Sequence, residues 1–410
     1  MTRPLTAEEK QLSTVPNEWD RSGLPAWTYY SEELNTVEKD ALFRRHWQIA
    51  CHVNDVPDPG SFMTFDMCGD RAVIMRGKDG VVRAFHNLCR HRGSRVVAED
   101  KGVCKHVMTC PFHGWTYNLD GTLRSPAIPE SLPKLDPVEH GLKPIEMEIW
   151  KGLVFIRFQT SDQPSIAEMM ARHEDKLKDI DLENWVPADG TRSEHEMAVN
   201  WKSVRDVDNE GYHVSMAHPA LQELYGGGYW DEPLQNGTSV SYGILNDHPG
   251  RTWSVRHYKK LLSAVPEIPE DQKKMWFYIG IFPNNVISFY PGMINYYQEF
   301  PISARRTIQR SATYCAAPDS QTMKQLIFLT GRIDDQTYEE DTQLIEWSCE
   351  ATESSAYDGI ILSDREYNVR SWHDGFRAKV PVLNLDSEPA PNTVSTVNKE
   401  MTASRDVAAE

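Results

Sequence analysis

The sequence has no run of about 18 apolar residues, the length at which a helix spans a bilayer, so no membrane association is expected. Its first residues, MTRPLTAEEKQLSTVPNEWDRSG, are polar and acidic and hold no apolar stretch of the kind that directs secretion. The cytoplasm is therefore the expected compartment. Basic charge is scarce: 43 Lys and Arg stand against 60 Asp and Glu, a formal net charge of -17. Phosphate binding needs a basic footprint, so nucleic acid is not an expected partner. Cysteine is sparse and odd in number: Cys51, Cys68, Cys89, Cys104, Cys110, Cys315 and Cys349. Seven in a long chain argue against a disulfide framework and leave metal ligation or buried thiols. No convincing Gly-x-Gly-x-x-Gly fingerprint is present, so a nicotinamide site is not expected in this chain. Internal repeats and low-complexity blocks are lacking as well.

What is present is a chain of 410 residues, enough for two domains. Residues 1–43 read as an N-terminal arm with a helical piece, SEELNTVEKDALFRRHW. Residues 44–158 read as an antiparallel β module. Short runs such as GSFMTFDM, RAVIMRG and HVMTC alternate with Gly and Asp turns, and LKPIEMEIWKGLVFIRF supplies two closing strands. Residues 159–384 mix helices with antiparallel strands; PSIAEMMARHEDKLKDI and YEEDTQLIEWSCEATESSAY have helical period. Residues 385–410 are polar and expected to be a mobile tail. The fold class is α+β: a β module followed by a helix-flanked antiparallel sheet of helix-grip type.

Two Cys–His pairs stand in the β module, Cys89-Arg-His91 and Cys110-Pro-Phe-His113, with eighteen residues between His91 and Cys110. Thiolate and imidazole suit zinc or an iron–sulfur cluster. Ligand count alone leaves a tetrahedral zinc open, but zinc fingers use Cys-x₂₋₄-Cys followed by His-x₃₋₅-His. A further pair, Cys104 and His106, lies too close before Cys110 to form an opposing loop, and both read as strand residues. In the second half, Asn200 opens NWKSVRDVDNEGYHVSMAHP, where His213 and His218 are five apart behind a group of carboxylates. Asp341 lies farther on in a helical stretch, with Asp334, Asp335, Glu339, Glu340 and Glu346 as nearby alternatives. Two histidines and one carboxylate on one face of a ferrous ion leave three positions open for oxygen, water and substrate.

The pattern Cys-x-His … Cys-x-x-His-Gly-Trp resembles the Rieske [2Fe–2S] signature, in which two cysteines hold one iron and two histidines the other. Together with Glu-Gly-Tyr-His-x₄-His it is similar to the α subunits of Rieske non-haem iron oxygenases, over about residues 40–375. The resemblance implies that Cys89, His91, Cys110 and His113 hold the cluster, and that His213, His218 and Asp341 hold Fe(II). It implies an electron bridge at Glu210, where the family usually has Asp, reached from His113 of a neighbouring subunit in a head-to-tail homotrimer. Asp206 and Asn209 are expected to assist. It also implies O₂ as cosubstrate and a flavin/iron–sulfur reductase fed by NADH or NADPH.

Glu at the bridge resembles the branch acting on quaternary ammonium compounds such as carnitine or glycine betaine. Aromatic faces hold such cations, and Tyr225, Trp230, Trp253, Tyr296 and Tyr297 are the candidate pocket residues. YGGGYW, from Tyr225 to Trp230, is a mobile entrance loop or a plain turn. An aromatic or other carboxylated ring acid is the alternative substrate. A Rieske electron carrier without oxygenase activity is the alternative of another class.

Overall fold

The computed structural model describes residues 4–265 and 268–409. Two compact units emerge: Phe43–Pro187, and Met1–Leu42 together with Ala188–Glu410.

The first unit is built from small antiparallel sheets. Strands Val82–His86, Asp70–Arg76, Ser61–Met67 and Lys101–Val103 pair in that order. Val107–Thr109, Thr116–Asn118 and Leu123–Ser125 form a second sheet. In a third, Leu153–Arg157 lies between Gln48–His52 and Glu146–Trp150. Phe62, Val73, Met75, Phe85, Met108 and Tyr117 bury a common core that also takes in Cys89 and Cys110. Residues 159–187 belong to this unit, beyond the expected end at 158. The backbone N–H groups of Ile166 and Ala167 donate to Glu148, at 2.8 and 2.9 Å. A carboxylate at a helix N-terminus satisfies donors that have no partner within the helix. The helical reading of 164–180 resolves into short pieces, Ile166–Met170 and Glu174–Leu177, linked by a single 3₁₀ turn.

In the second unit seven strands pair antiparallel, in the order Ser193–Met197, Arg306–Cys315, Met293–Ser303, Asn285–Tyr290, Met275–Ile281, Thr238–Ile244 and Tyr229–Gln235. Asn236 and Gly237, both at positive φ (50° and 77°), make the tight turn of the last hairpin. Two-residue turns with positive φ match the twist of the strands they join. The helix Gln321–Ala351 starts seventeen residues before the helical stretch read from the sequence, capped by Ser320. Its Met323, Leu326, Leu329 and Ile333 recur every three or four residues and pack with Trp276, Tyr290, Met293 and Cys315 of the sheet.

The chain ends depart from expectation. The N-terminal arm is part of this unit: Glu38 and Lys202 form a fully buried ion pair at 2.7 Å, and Trp201 Nε1 also donates to Glu38. Residues 385–410 are not a free tail through their length. They carry the helix Val394–Ala409, with Val394 buried, and Asn398 Oδ1 accepts from the Val382 N–H. Burial of Val394, together with Glu33 accepting from the Asn392 and Val394 N–H groups, outweighs the polar composition that suggested mobility.

Candidate metal centres and cavity

The two Cys–His loops of the first unit share one geometry. The N–H of Gly93 donates to the carbonyl of Cys89, and that of Gly114 to the carbonyl of Cys110. Both glycines sit four residues after their cysteine at positive φ, 74° and 68°, where a Cβ is strained. Cys89 and Cys110 are buried, and their thiols lie within hydrogen-bonding reach of each other. Tyr117 Oη is 3.3 Å from Cys89 Sγ and accepts from the Arg90 N–H. His91 and His113 are exposed, with ring centroids 4.7 Å apart, and His91 stacks on Trp115. Two inner sulfurs and two outer imidazoles match the asymmetric donor set of a [2Fe–2S] cluster with Cys₂ on one iron and His₂ on the other. Burial pushes the Cys89 thiol up, so a cation is needed to hold it as thiolate. Cys104 and His106 lie in the turn between strands Lys101–Val103 and Val107–Thr109, not within strands.

The second centre forms around the break after helix Trp201–Asp208. His213 and His218 flank the short helix Val214–Ala217, and Asp341 comes from the long helix. Their ligand atoms lie within 4.8 Å of one another. His213 Nε2 is 3.0 Å from His218 Nε2 and 3.5 Å from Asp341 Oδ1; His218 Nε2 is 2.9 Å from the same oxygen.

The outer nitrogens of both rings are taken. His213 Nδ1 donates to Glu210, and His218 Nδ1 donates to Glu340 at 2.9 Å. A carboxylate can only accept, so both Nε2 atoms are left with lone pairs aimed inward. Asp341 Oδ1 is buried among them without a hydrogen bond of good geometry. Three converging electron-pair donors repel one another unless a cation sits between them, and two His with one carboxylate is the donor set for a ferrous ion. In the metal-free chain a proton is drawn in instead. Burial lowers the His213 pKa, but the hydrogen bond and charge of Glu210, then Asp341 and Asp231, raise it above its usual value.

Among the carboxylates considered, Asp341 reaches the histidine nitrogens directly, and Glu340 reaches His218 from behind. Asp206 does not join them: it accepts from Tyr29 Oη at 2.6 Å and pairs with His373 at 2.7 Å. It lies on the helix Trp201–Asp208, ahead of the break that brings Glu210 to His213. Asn209 is buried and lines the neighbouring cavity, with its Nδ2 lacking a partner among the described residues. Asp231 was not anticipated. It accepts from the Gly211 N–H at 3.0 Å, and burial pushes it up to about 7, aided by the charge of Glu210.

A cavity of about 700 Å³ adjoins this centre. Of the five aromatic residues expected to line it, Tyr225 and Tyr297 do so. Tyr296 does not, because neighbouring strand residues face opposite sides; it is buried against Tyr314. Trp230 stacks on Tyr242 beneath Lys10, and Trp253 is exposed on its helix beside His257. Tyr278 and Tyr290 take their place in the lining. Tyr225 and Tyr278 meet hydroxyl to hydroxyl at 3.0 Å, and the rings of Tyr278 and Tyr290 meet edge to face at 6.1 Å. The YGGGYW stretch is a hydrogen-bonded turn, in which Gly228 N–H donates to the Tyr225 carbonyl.

Comparison with known proteins adds sequence relationships to this geometry. Residues 46–136 match the model of the Rieske [2Fe-2S] domain, and residues 182–381 that of the ring hydroxylating alpha subunit, catalytic domain. The carnitine monooxygenase oxygenase subunit of Acinetobacter pittii is 29% identical over 386 residues, covering 90% of this chain and 96% of that one. The glycine betaine monooxygenase oxygenase subunit of Pseudomonas aeruginosa is 36% identical over 219 residues, 53% of this chain and 50% of that protein. In fold, the chain resembles the quaternary ammonium Rieske monooxygenase CntA in complex with L-carnitine. The TM-score is 0.72 at 23% identity, covering 87% of this chain and 95% of that one.

Proposed function

The chain belongs to the Rieske oxygenases that join a [2Fe–2S] domain to a ring-hydroxylating α-subunit catalytic domain, and from that premise we propose that it oxidises a small quaternary ammonium compound. It is the terminal oxygenase of a system in which O₂ is cosubstrate and electrons come from NADH through a reductase. The observation that carries the substrate reading is the cavity beside His213, His218 and Asp341, walled by tyrosine. Aromatic faces attract onium cations within about 6 Å of the ring centroid. Relatives named for carnitine and glycine betaine support the same class.

Each residue has a part in this reading. Cys89, Cys110, His91 and His113 hold the cluster; His213, His218 and Asp341 hold Fe(II). When bound, these groups supply electron storage and activation of oxygen. Glu210 and Glu340 fix the tautomer and orientation of the two histidines, which raises the basicity of Nε2. The tyrosine wall positions the onium group and keeps bulk water from it. In the net reaction one atom of O₂ enters a C–H bond next to nitrogen, and the other leaves as water. Two electrons and two protons complete the balance. The hydroxylated carbon then breaks its C–N bond, giving an aldehyde and a tertiary amine.

Electron entry belongs to the same proposal: it runs from His113 of the partner subunit through Glu210 to His213, in a ring of three copies. Exposed Phe112 stands beside His113, and exposed Tyr212 and Met216 lie within three residues of His213. Such apolar exposure beside two charge-carrying centres favours an interface over them. The reductase is a flavin/iron–sulfur protein. The decisive experiment supplies purified holoprotein with a surrogate reductase, NADH and a panel of carnitine, glycine betaine, choline and aromatic acids. Aldehyde and amine are measured, since uncoupled NADH oxidation would mislead. Product from an aromatic acid alone would overturn the reading.

A further inference from the structure

We propose that Asp334, set among Tyr225, Tyr278 and Tyr290, is the cation-recognising group of the cavity and selects a charged substrate over a neutral one of the same shape. The inference rests on the onium reading above and names the residue that would enforce it.

Asp334 lies on the long helix seven residues before Asp341. Seven residues are about two turns, so the two carboxylates share one helix face roughly 10 Å apart. Both line the cavity. Asp334 is enclosed by protein yet keeps accessible surface, because that surface faces the cavity. It is hydrogen-bonded to Tyr290, and its charge bears on Tyr225, Tyr258, Tyr278 and Tyr297 as well. No Lys, Arg or His among the described residues offsets it; the one nearby charge acting on it is the like charge of Asp335. Arg332 also lines the cavity but is two residues away on the helix, a spacing that points side chains apart.

An enclosed carboxylate without a cationic partner is costly to keep ionised, and burial pushes Asp334 up to about 7. Tyrosine hydroxyls solvate it in part, but only a positive charge balances it. The ligand that completes this arrangement is an onium group, attracted by the carboxylate and by the rings together. The spacing suits it. An ammonium nitrogen about 4–5 Å from Asp334, a distance typical of ring and ion contacts, leaves a carbon on that nitrogen within a few ångströms of the Asp341 end. Phenol faces alone favour a trimethylammonium group over a tert-butyl group only by the modest cation–π attraction. The carboxylate adds a full negative charge to that attraction and widens the difference between the two.

The test uses holoprotein carrying both iron centres and measures binding by calorimetry alongside product formation. Wild type is offered choline and its neutral carbon isostere 3,3-dimethylbutan-1-ol. Tighter binding of choline, by at least about tenfold, is expected, and its collapse in the variant below assigns it to the carboxylate rather than to the rings. Equal binding of the two by wild type overturns it. Asp334→Asn keeps the shape and removes the charge. It should lose about tenfold or more in choline affinity, chiefly in KM, leave the isostere unaffected, and keep the visible spectrum of the cluster. Unchanged choline affinity in this variant overturns the role of Asp334 while leaving the onium reading intact. If wild type neither binds nor oxidises any onium compound, the onium reading falls and this inference with it.

Discussion

Glu210 and Glu340 each hold one iron-site histidine by its Nδ1, and Glu210 also accepts from the His213 backbone N–H at 3.1 Å. Losing such an outer hydrogen bond typically costs 10–100-fold in metal affinity or activity. Glu340→Gln is therefore expected to weaken Fe(II) retention by about 10–100-fold, read by competition with a chelator. Glu210→Gln is expected to loosen Fe(II) in the same way, yet, reconstituted with excess Fe(II) to three irons and two sulfides per chain, still to stop product formation over multiple turnovers. Full turnover in that variant would remove Glu210 from the electron path. Asp334 sets a pH dependence of a different sign from a salt-bridged acid. Facing it are Tyr225 from the helix Pro219–Tyr225, Tyr258 from the helix Trp253–Leu262, Tyr278, Tyr290 and Tyr297 from the sheet, and Asp335 from its own helix. Burial pushes its carboxyl up to about 7 in the folded chain, against about 3.9 when unfolded. The unfolded chain thus loses the proton first, and stability falls as pH rises through the window between those values. In metal-free protein, Asp334→Asn should flatten the fall in denaturant midpoint between pH 5 and 8. An unchanged slope would show that Asp334 is not held protonated.

At the scale of elements, the cluster loops and the long helix hold the chemistry in different ways. Gly93 has φ of 74° and open space where a Cβ would stand, so Gly93→Ala isolates backbone strain from collision. A left-handed residue other than glycine costs about 1–2 kcal/mol. A lowered thermal midpoint of the holoprotein, with an unchanged cluster spectrum, is the expected result. The loops are legible in sequence because each is closed by hydrogen bonds within six residues, so spacing alone dictates which side chains converge. The helix was legible only in its second half. Its first half, QTMKQLIFLTGRID, buries Met323, Leu326, Leu329 and Ile333 against strands far off in the chain. Choosing among the acids of this helix needs its rotation about its own axis. Packing sets that angle, putting Asp341 toward Nε2 of the histidines and Glu340 toward Nδ1 of His218.

Over the whole chain, the units close on pairs distant in sequence. Glu38 from the N-terminal arm is buried against Lys202 and Trp201, just ahead of the iron-site break. Breaking one partner of a buried pair costs about 3–5 kcal/mol, so Glu38→Gln should lower stability markedly, followed by denaturant unfolding. Loss of less than about 1 kcal/mol, the range of exposed pairs, would mean the pair is solvated in practice. By itself the sequence determined the family, the two Cys–His loops and the run from Glu210 to His218. Each is a local pattern whose geometry follows from a few consecutive dihedral angles. Tertiary structure decided the rest: how the long helix turns Asp341, the acid the family resemblance pointed to, onto the histidines, why Asp206 turns to Tyr29 and His373, and why Tyr297 faces the cavity while Tyr296 is buried. It also decided that the chain ends pack on the second unit. Those outcomes depend on strand register and helix rotation, which are set by burial between segments that no short window of sequence contains.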